Sequence, residues 1–139
     1  MTHYQRFRRK DRLQTRAAFA RVFAERCSKG DGRLVVYVAS NGLPFSRLGL
    51  SVSKRAGKAV RRNYIRRRIR ESFRISKADL PQGLDIVCVA RAGADSAHYD
   101  IARAFHSMLA GSVKRLSLLS NKEQSTDKPS PPKTPRKQG

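Results

Sequence analysis

Between Arg55 and Arg74, nine of twenty residues are Lys or Arg, and only Glu71 is acidic. The chemistry such a run does best is to hold phosphates. A guanidinium is planar, always charged and forked, so it matches phosphate oxygens in pairs and also stacks on bases. The apolar positions argue against a merely charged coil. Ile65, Ile69 and Phe73 recur every four residues and would share one side of a helix. On an ideal wheel Asn63, Arg66, Arg67, Arg70 and Arg74 fall on an adjacent side, within about a third of the circumference. Like charges this dense repel by about 0.2–0.5 kcal/mol per neighbouring pair, and a polyanion would relieve that repulsion. A basic helix face is ordinarily just a solvated one. Here the arginine bias and the near absence of acids favour a bound polyanion.

Hydrolytic chemistry is poorly supplied by comparison. The ten acids, among them Asp11, Glu25, Asp31, Glu71 and Asp100, form no D-x-D or similar cluster, whereas two-metal phosphodiester hydrolysis needs convergent carboxylates. His3, His98 and His106 are scattered, and His106 reads as a surface histidine on a flank of the last helix. Cys27 and Cys88 are far apart with no CxxC pattern, which supports neither a zinc site nor a redox pair. Cys88 lies in an apolar run and reads as a small buried hydrophobe, and a reducing cytoplasm is the default compartment.

With 139 residues the chain is long enough for one domain with a modest core. Its net charge of +21 and pI near 11.4 call for a polyanion, usually a nucleic acid. Membrane-surface binding competes with that reading. It is weakened because no stretch reaches the roughly 18 apolar residues of a span, and no apolar core follows the basic N-terminus as in a secretory signal.

The elements that position the basic run follow from periodicity and punctuation. Residues 1–11, with Tyr4 and Phe7 among Arg6, Arg8, Arg9 and Lys10, read as a basic arm, either a solubilising tail or a segment that orders on RNA. Thr15 is an N-cap for a helix to about Arg26, with an incomplete capping box because Ala18 is not Glu or Gln. Phe19, Val22 and Phe23 form its apolar face, and Gly30 and Gly32 end it and turn the chain. Residues 33–40 read as a strand with Leu34, Val36 and Val38 facing one way and Val35 and Tyr37 the other. After an Asn41-Gly42 turn, residues 47–53 read as a second strand, antiparallel to the first by proximity. Gly57 opens the basic helix, which ends near Ser76. The nearly all-apolar run from Leu84 to Ala90 reads as a central third strand. Asp95 or Ser96 caps a last helix with Ile101, Phe105, Met108 and Leu109 as its stripe. Residues 118–139, with four of the six prolines and no aliphatic or aromatic residue from Ser120 on, read as a disordered basic tail. The fold class is thus α+β, a two-layer sandwich of order α-β-β-α-β-α on a small mixed sheet, with the domain over 12–117. The second strand, basic helix and third strand form a β-α-β crossover with those two strands parallel.

The segment from Gly49 to Arg74, GLSVSKRAGKAVRRNYIRRRIRESFR, closely resembles the signature of the bacterial ribonuclease P protein component. Gly49, Val52, Lys54, Arg55, Gly57, Ala59, Val60, Arg62, Asn63, Arg66, Arg67, Arg70 and Glu71 fit that pattern. Upstream, Arg12-Leu13 followed by Phe19 and Phe23, and then Tyr37, are similar to the opening of the family. The resemblance covers roughly residues 8 to 115. One position departs: the family's Arg-Asn-Arg reads Arg62-Asn63-Tyr64 here. Tyr64 cannot ion-pair with a phosphate, although it can stack or donate a hydrogen bond, and Arg68 lies on a different side of the wheel.

The resemblance implies a ribosomal-protein S5 domain 2-like fold with a left-handed β-α-β crossover. It also implies the RNA-binding protein subunit of a ribonucleoprotein whose RNA removes the 5′ leader from precursor tRNA. Lys54, Arg55, Lys58, Arg62, Asn63, Arg66, Arg67 and Arg70 would contact the catalytic RNA, and Arg12, Phe19, Phe23 and Tyr37 the precursor's leader. No residue of the chain would be catalytic. Mg²⁺ would be held by the RNA and none by the protein alone, in a 1:1 cytoplasmic complex away from membranes. On periodicity by itself, Phe19 and Phe23 read as core, and it is the resemblance that brings the leader-binding reading level with that one. The rival classes are a ribosomal or other structural RNA-binding protein and a protein-only nuclease.

Overall fold

The computed structural model describes residues 9–126. The arm expected over residues 1–8 and the tail from 127 onward lie outside the described residues. Three helices, α1 (Arg16–Glu25), α2 (Ala59–Ser76) and α3 (Ile101–Thr126), surround four strands, β1 (Ser28–Gly30), β2 (Leu34–Ser40), β3 (Arg47–Val52) and β4 (Leu84–Ala90). The sheet order is β1-β2-β4-β3. Strand β4 pairs antiparallel with β2 and parallel with β3, so β3-α2-β4 is the expected crossover and the apolar run of β4 lies between two partners.

Several expectations need correction. Strands β2 and β3 run in opposite directions but do not pair, because β4 is inserted between them. The Asn41-Gly42 segment therefore crosses over the end of β4 instead of closing a hairpin, and Asn41 N–H bonds the carbonyl of Gly83 at 2.8 Å. Helix α1 is ended by Arg26, a non-glycine residue in the left-handed region (φ 56°) whose N–H bonds Phe23 O, and not by Gly30 or Gly32. The glycines instead flank the turn of a β1–β2 hairpin, of which the three polar residues Ser28-Lys29-Gly30 give no sign. Helix α3 starts at Ile101, with Asp100 Oδ1 accepting from Arg103 N–H at 3.1 Å, rather than after Asp95 or Ser96. It continues to Thr126, into the segment read as tail. Arg9–Asp11 is not part of a loose arm. It is a 3-10 turn whose Asp11 is buried and pairs with Lys77 at 3.1 Å, and Leu13 N–H bonds Leu48 O on β3. No helix among the described residues is long and apolar enough to cross a membrane.

Strand alternation divides the core in two. Leu34, Val36, Val38, Leu48, Ile86 and Cys88 face α2 and α3, where Ile65, Ile69, Phe73, Phe105 and Leu109 are buried against them. On the opposite face α1 and the segment before it build a smaller cluster around Leu13, Val22, Ala39 and Val87, with Phe19, Tyr37 and Val89 half-buried at its edge. Register places Gly49, Val87 and Tyr37 in one row across β3, β4 and β2, and Ser51, Val89 and Val35 in the next. Phe19 seats on the first row. A Cβ at Gly49 would stand 2.6 Å from Phe19 Cζ and 3.0 Å from Leu13 Cβ, so the missing side chain is what lets the ring lie on the strand.

A buried carboxylate fixes the other end of α1. Asp85, fully buried on β4, pairs with Arg21 of α1 and, at 2.7 Å, with Arg47 of β3, and accepts from Asn41 Nδ2 at 2.8 Å. Burial alone would push its carboxyl up, but the hydrogen bonds from Arg47 and Asn41 and the adjacent cations outweigh that and hold it below the usual carboxylate range.

Asp85→Asn should lower unfolding stability by about 2–3 kcal/mol at neutral pH, below the roughly 3–5 of a fully buried pair because the guanidiniums reach solvent. A depressed folded pKa stabilises the protein above the unfolded value of about 3.9 and ceases to as pH falls through the folded value. Urea unfolding of both proteins should therefore show their gap narrowing below about pH 4. Gly49→Ala should cost about 1–3 kcal/mol by overpacking. In a double-mutant cycle Phe19→Ala should relieve much of that cost, whereas strict additivity would mean the ring is not what Gly49 makes room for.

Candidate nucleic-acid interface

Helix α2 brings its cations to the surface because its apolar stripe is fully engaged. Ile65, Ile69 and Phe73 are completely buried, which turns the intervening arginines outward. Lys58 is the N-cap residue of α2, without a side-chain capping bond, and is exposed. Lys54 and Arg55 form the preceding 3-10 turn, with Ser53 Oγ accepting from Arg55 N–H at 3.1 Å, and both reach solvent. Arg62 is half-buried and its Nε donates to Gly57 O at 3.1 Å. Asn63 is exposed and its Oδ1 accepts from Arg66 Nη1 at 2.9 Å, orienting that guanidinium. Arg67 is exposed. Arg74, placed by the wheel on the cationic side, is occupied by Glu71, which it grips with two hydrogen bonds of 3.1 and 2.5 Å.

Two of the candidate groups expected at separate sites meet in one cavity. A pocket of about 620 Å³ is lined by Arg66 and Arg70 of α2, Arg12 and Arg9 from the N-terminal turn, and Phe19 of α1, over a floor of Leu13, Leu48 and Leu50. Burial, together with the neighbouring Arg12 and Arg66 cations, pulls the Arg70 guanidinium below its ordinary pKa, as expected where positive charges are crowded out of water. Such a cavity suits a phosphate against its arginines and a planar ring against Phe19.

From Phe19 an aromatic chain runs across the sheet face. Its ring centroid lies 6.4 Å from that of Phe23, which meets Tyr37 edge-on at 4.9 Å and 86°. Phe23 is 37 % exposed and Phe19 and Tyr37 are half-buried, so the three rings belong neither to solvent nor to the sealed core. They border the row of Val35, Val89 and the exposed Ser51, beside α1.

Two further arginines are placed by contacts that have no signal in the sequence beyond their charge. Arg9 falls in the segment read as arm, and only the turn that Asp11 anchors brings it to the pocket. Arg61, one more arginine in a run of them, is distinguished by its hydrogen bond to Asp95 O at 2.5 Å and its place over the Tyr64 ring. Among the described residues no three His, Cys, Asp or Glu side chains converge as a metal site would require.

The chain is similar to known proteins over most of its length. The family model for Ribonuclease P matches residues 7–114. The ribonuclease P protein component of Thermotoga petrophila is 45 % identical over 85 residues, covering 61 % of this chain and 73 % of that protein. The component from Alkaliphilus oremlandii is 32 % identical over 111 residues, covering 80 % and 95 %. Among solved structures, a Staphylococcus aureus RNase P protein mutant with defective mRNA degradation activity superposes with a TM-score of 0.67 at 34 % identity, covering 73 % of this chain and 86 % of that one. The RNase P protein from Thermotoga maritima does so with a TM-score of 0.61 at 35 % identity, covering 69 % and 92 %. The matched span takes in every strand and the whole of α1 and α2, and the chain belongs to the family of ribonuclease P protein components.

Proposed function

We propose that this chain is the RNA-binding subunit of a cytoplasmic ribonuclease P in which the RNA is the catalyst, and that it binds both that RNA and the 5′ leader of precursor tRNA. The observation that carries the reading is the junction at Phe19. There the arginines of α2 meet the aromatic face of the sheet in one continuous surface.

The two halves of that surface do different work. Lys54, Arg55, Lys58, Arg62, Asn63, Arg66, Arg67 and Arg70 hold phosphates of the folded catalytic RNA, where affinity comes from counterion release and shape matters more than sequence. Phe19, Phe23 and Tyr37, with Arg12 at the entrance, hold the single-stranded leader. Stacking on a ring is worth roughly 1–3 kcal/mol per base and tolerates any base, which suits leaders of varied sequence and broadens the substrate range. By bringing cations to the RNA, the protein lowers the Mg²⁺ concentration the RNA needs, while the Mg²⁺ ions themselves are held by the RNA. One protein per RNA is the stoichiometry expected of a single such surface.

Reconstitution with the cognate RNA should restore leader removal at Mg²⁺ concentrations too low for the RNA alone. Failure of the wild-type protein to do so would refute the assignment. If six to ten phosphates are neutralised, affinity for the RNA should fall by about 10³–10⁵ between 50 and 200 mM salt. The triple variant Arg62→Ala/Arg66→Ala/Arg70→Ala should flatten that dependence by about two to three phosphates. Phe19→Ala with Tyr37→Ala should weaken precursor binding by about tenfold or more and leave mature tRNA binding unchanged. Equal losses on both would point to a folding defect.

A further inference from the structure

Two side chains interrupt the cationic surface of α2. Val60 is 78 % exposed and Tyr64 is 39 % exposed. They are four residues apart, so they lie one turn from each other on a single face, and neither is part of either apolar cluster. The stripe that seats α2 begins at Ile65, so Tyr64 points away from the core by helix geometry and not for want of room. Arg67 and Arg68, both exposed, follow it at i+3 and i+4, its nearest neighbours on the helix surface.

The ring is also held in place. The Arg61 guanidinium carbon stands over it, 5.4 Å from the centroid, and Arg61 is tied through Nη2 to the main-chain oxygen of Asp95 at 2.5 Å. The Asp95 carboxylate lies close against Gly57, where a Cβ would come within 2.8 Å of Oδ2. The loop after β4 thus fixes Arg61, and Arg61 fixes the tyrosine. A side chain restrained before contact loses little freedom on binding. A phenol is a weak partner for a phosphate beside five-donor guanidiniums. The matching partner for an exposed, restrained ring backed by a cation is the face of a heterocycle.

We propose that Tyr64, backed by Arg61, is a stacking platform for one unpaired nucleobase of the RNA that lies along α2, with Arg67 and Arg68 taking the flanking phosphates. The inference rests on α2 being the RNA-binding helix and specifies the contact made at this point of it. A base inside a duplex hides its faces, so the partner is a bulged or single-stranded nucleotide, from either the catalytic RNA or the precursor.

The test uses the full-length protein with its ribonuclease P RNA, and binding is followed across a potassium chloride series. Tyr64→Ala should bind about tenfold more weakly at every salt concentration with the slope unchanged, because stacking releases no counterions. Tyr64→Phe should stay within about twofold of wild type, since the ring face is retained. Tyr64→Arg, which keeps a long side chain at this position and decides the matter if the alanine variant is unstable, should match wild type at low salt and fall behind at high salt. A loss seen with the catalytic RNA alone places the base in that RNA. A loss seen only when precursor tRNA is added places it in the substrate. The proposal is overturned if Tyr64→Ala and Tyr64→Arg both track wild type in both arms, or if Tyr64→Phe loses as much as Tyr64→Ala, which would assign the contact to the hydroxyl. Wild-type protein that still lowers the Mg²⁺ requirement while these variants remain silent would remove the platform only and leave the subunit assignment standing.

Discussion

Three side chains, Ile65, Ile69 and Phe73, anchor a helix that would otherwise be held off by its own charge. Each is completely buried, and such burial is worth about 1.5–3 kcal/mol per residue, against about 0.2–0.5 for each like-charge neighbour pair on the helix surface. The apolar term wins, and α2 stays seated while carrying its dense positive charge. The rest of the architecture follows from that seat. With α2 and α3 on one face of the sheet, only α1 and the N-terminal turn remain for the other. They leave it partly open beside the arginines of α2.

Much of this was legible because it is local. The spacing of Ile65, Ile69 and Phe73, the Thr15 cap with its hydrogen bond from Ala18 N–H at 3.1 Å, and the unbroken apolar run of β4 all record short-range physics. What failed was non-local. Nothing near Ser40 or Arg47 says that β4, far along the chain, will come between β2 and β3, because the pairing is decided by which strand can be buried on both edges. Strand β1 failed for a related reason. Its residues are polar, and it exists because the β2 edge offers backbone partners. Gly30 admits the close approach of Val35, whose Cγ2 would stand 2.8 Å from any Cβ placed there. The left-handed Arg26 cap is equally invisible, since arginine carries no preference for that conformation.

The site divides along the same line. Periodicity separated the α2 arginines from the apolar stripe of Ile65, Ile69 and Phe73, and the fold brings Phe19 and Phe23 of α1 against Tyr37 of β2. That Arg12, Arg66, Arg70 and Phe19 share one cavity depends on the crossover, which carries α2 back over β3, and on the N-terminal turn lying along that strand. Tyr64 shows the limit from the other side. As a letter in a motif it is a missing arginine. Only its contact with Arg61, and Arg61's with the loop after β4, give it a shape of its own.

The few acids bear on why so basic a protein keeps its field where it is useful. Asp85 takes up Arg21 and Arg47, Asp11 pairs with Lys77, and Glu71 grips Arg74. Asp31 directs its oxygens to the N–H groups of Arg33 and Leu34 and to the Tyr99 hydroxyl. Asp85 thus ties strand to helix and strand to strand, Asp11 and Asp31 tie turns that are distant in sequence, and Glu71 pairs within α2. Around Arg70 the balance stays positive enough that burial and the Arg12 and Arg66 cations still depress its pKa. A potential of one sign, gathered in a cleft with low-dielectric walls, draws a polyanion in and raises its local concentration. The aromatic face beyond it adds contact that salt does not screen. The buried Asp85, through Arg21 of α1 and Arg47 of β3, ties the helix bearing Phe19 and Phe23 to the sheet on which those rings sit.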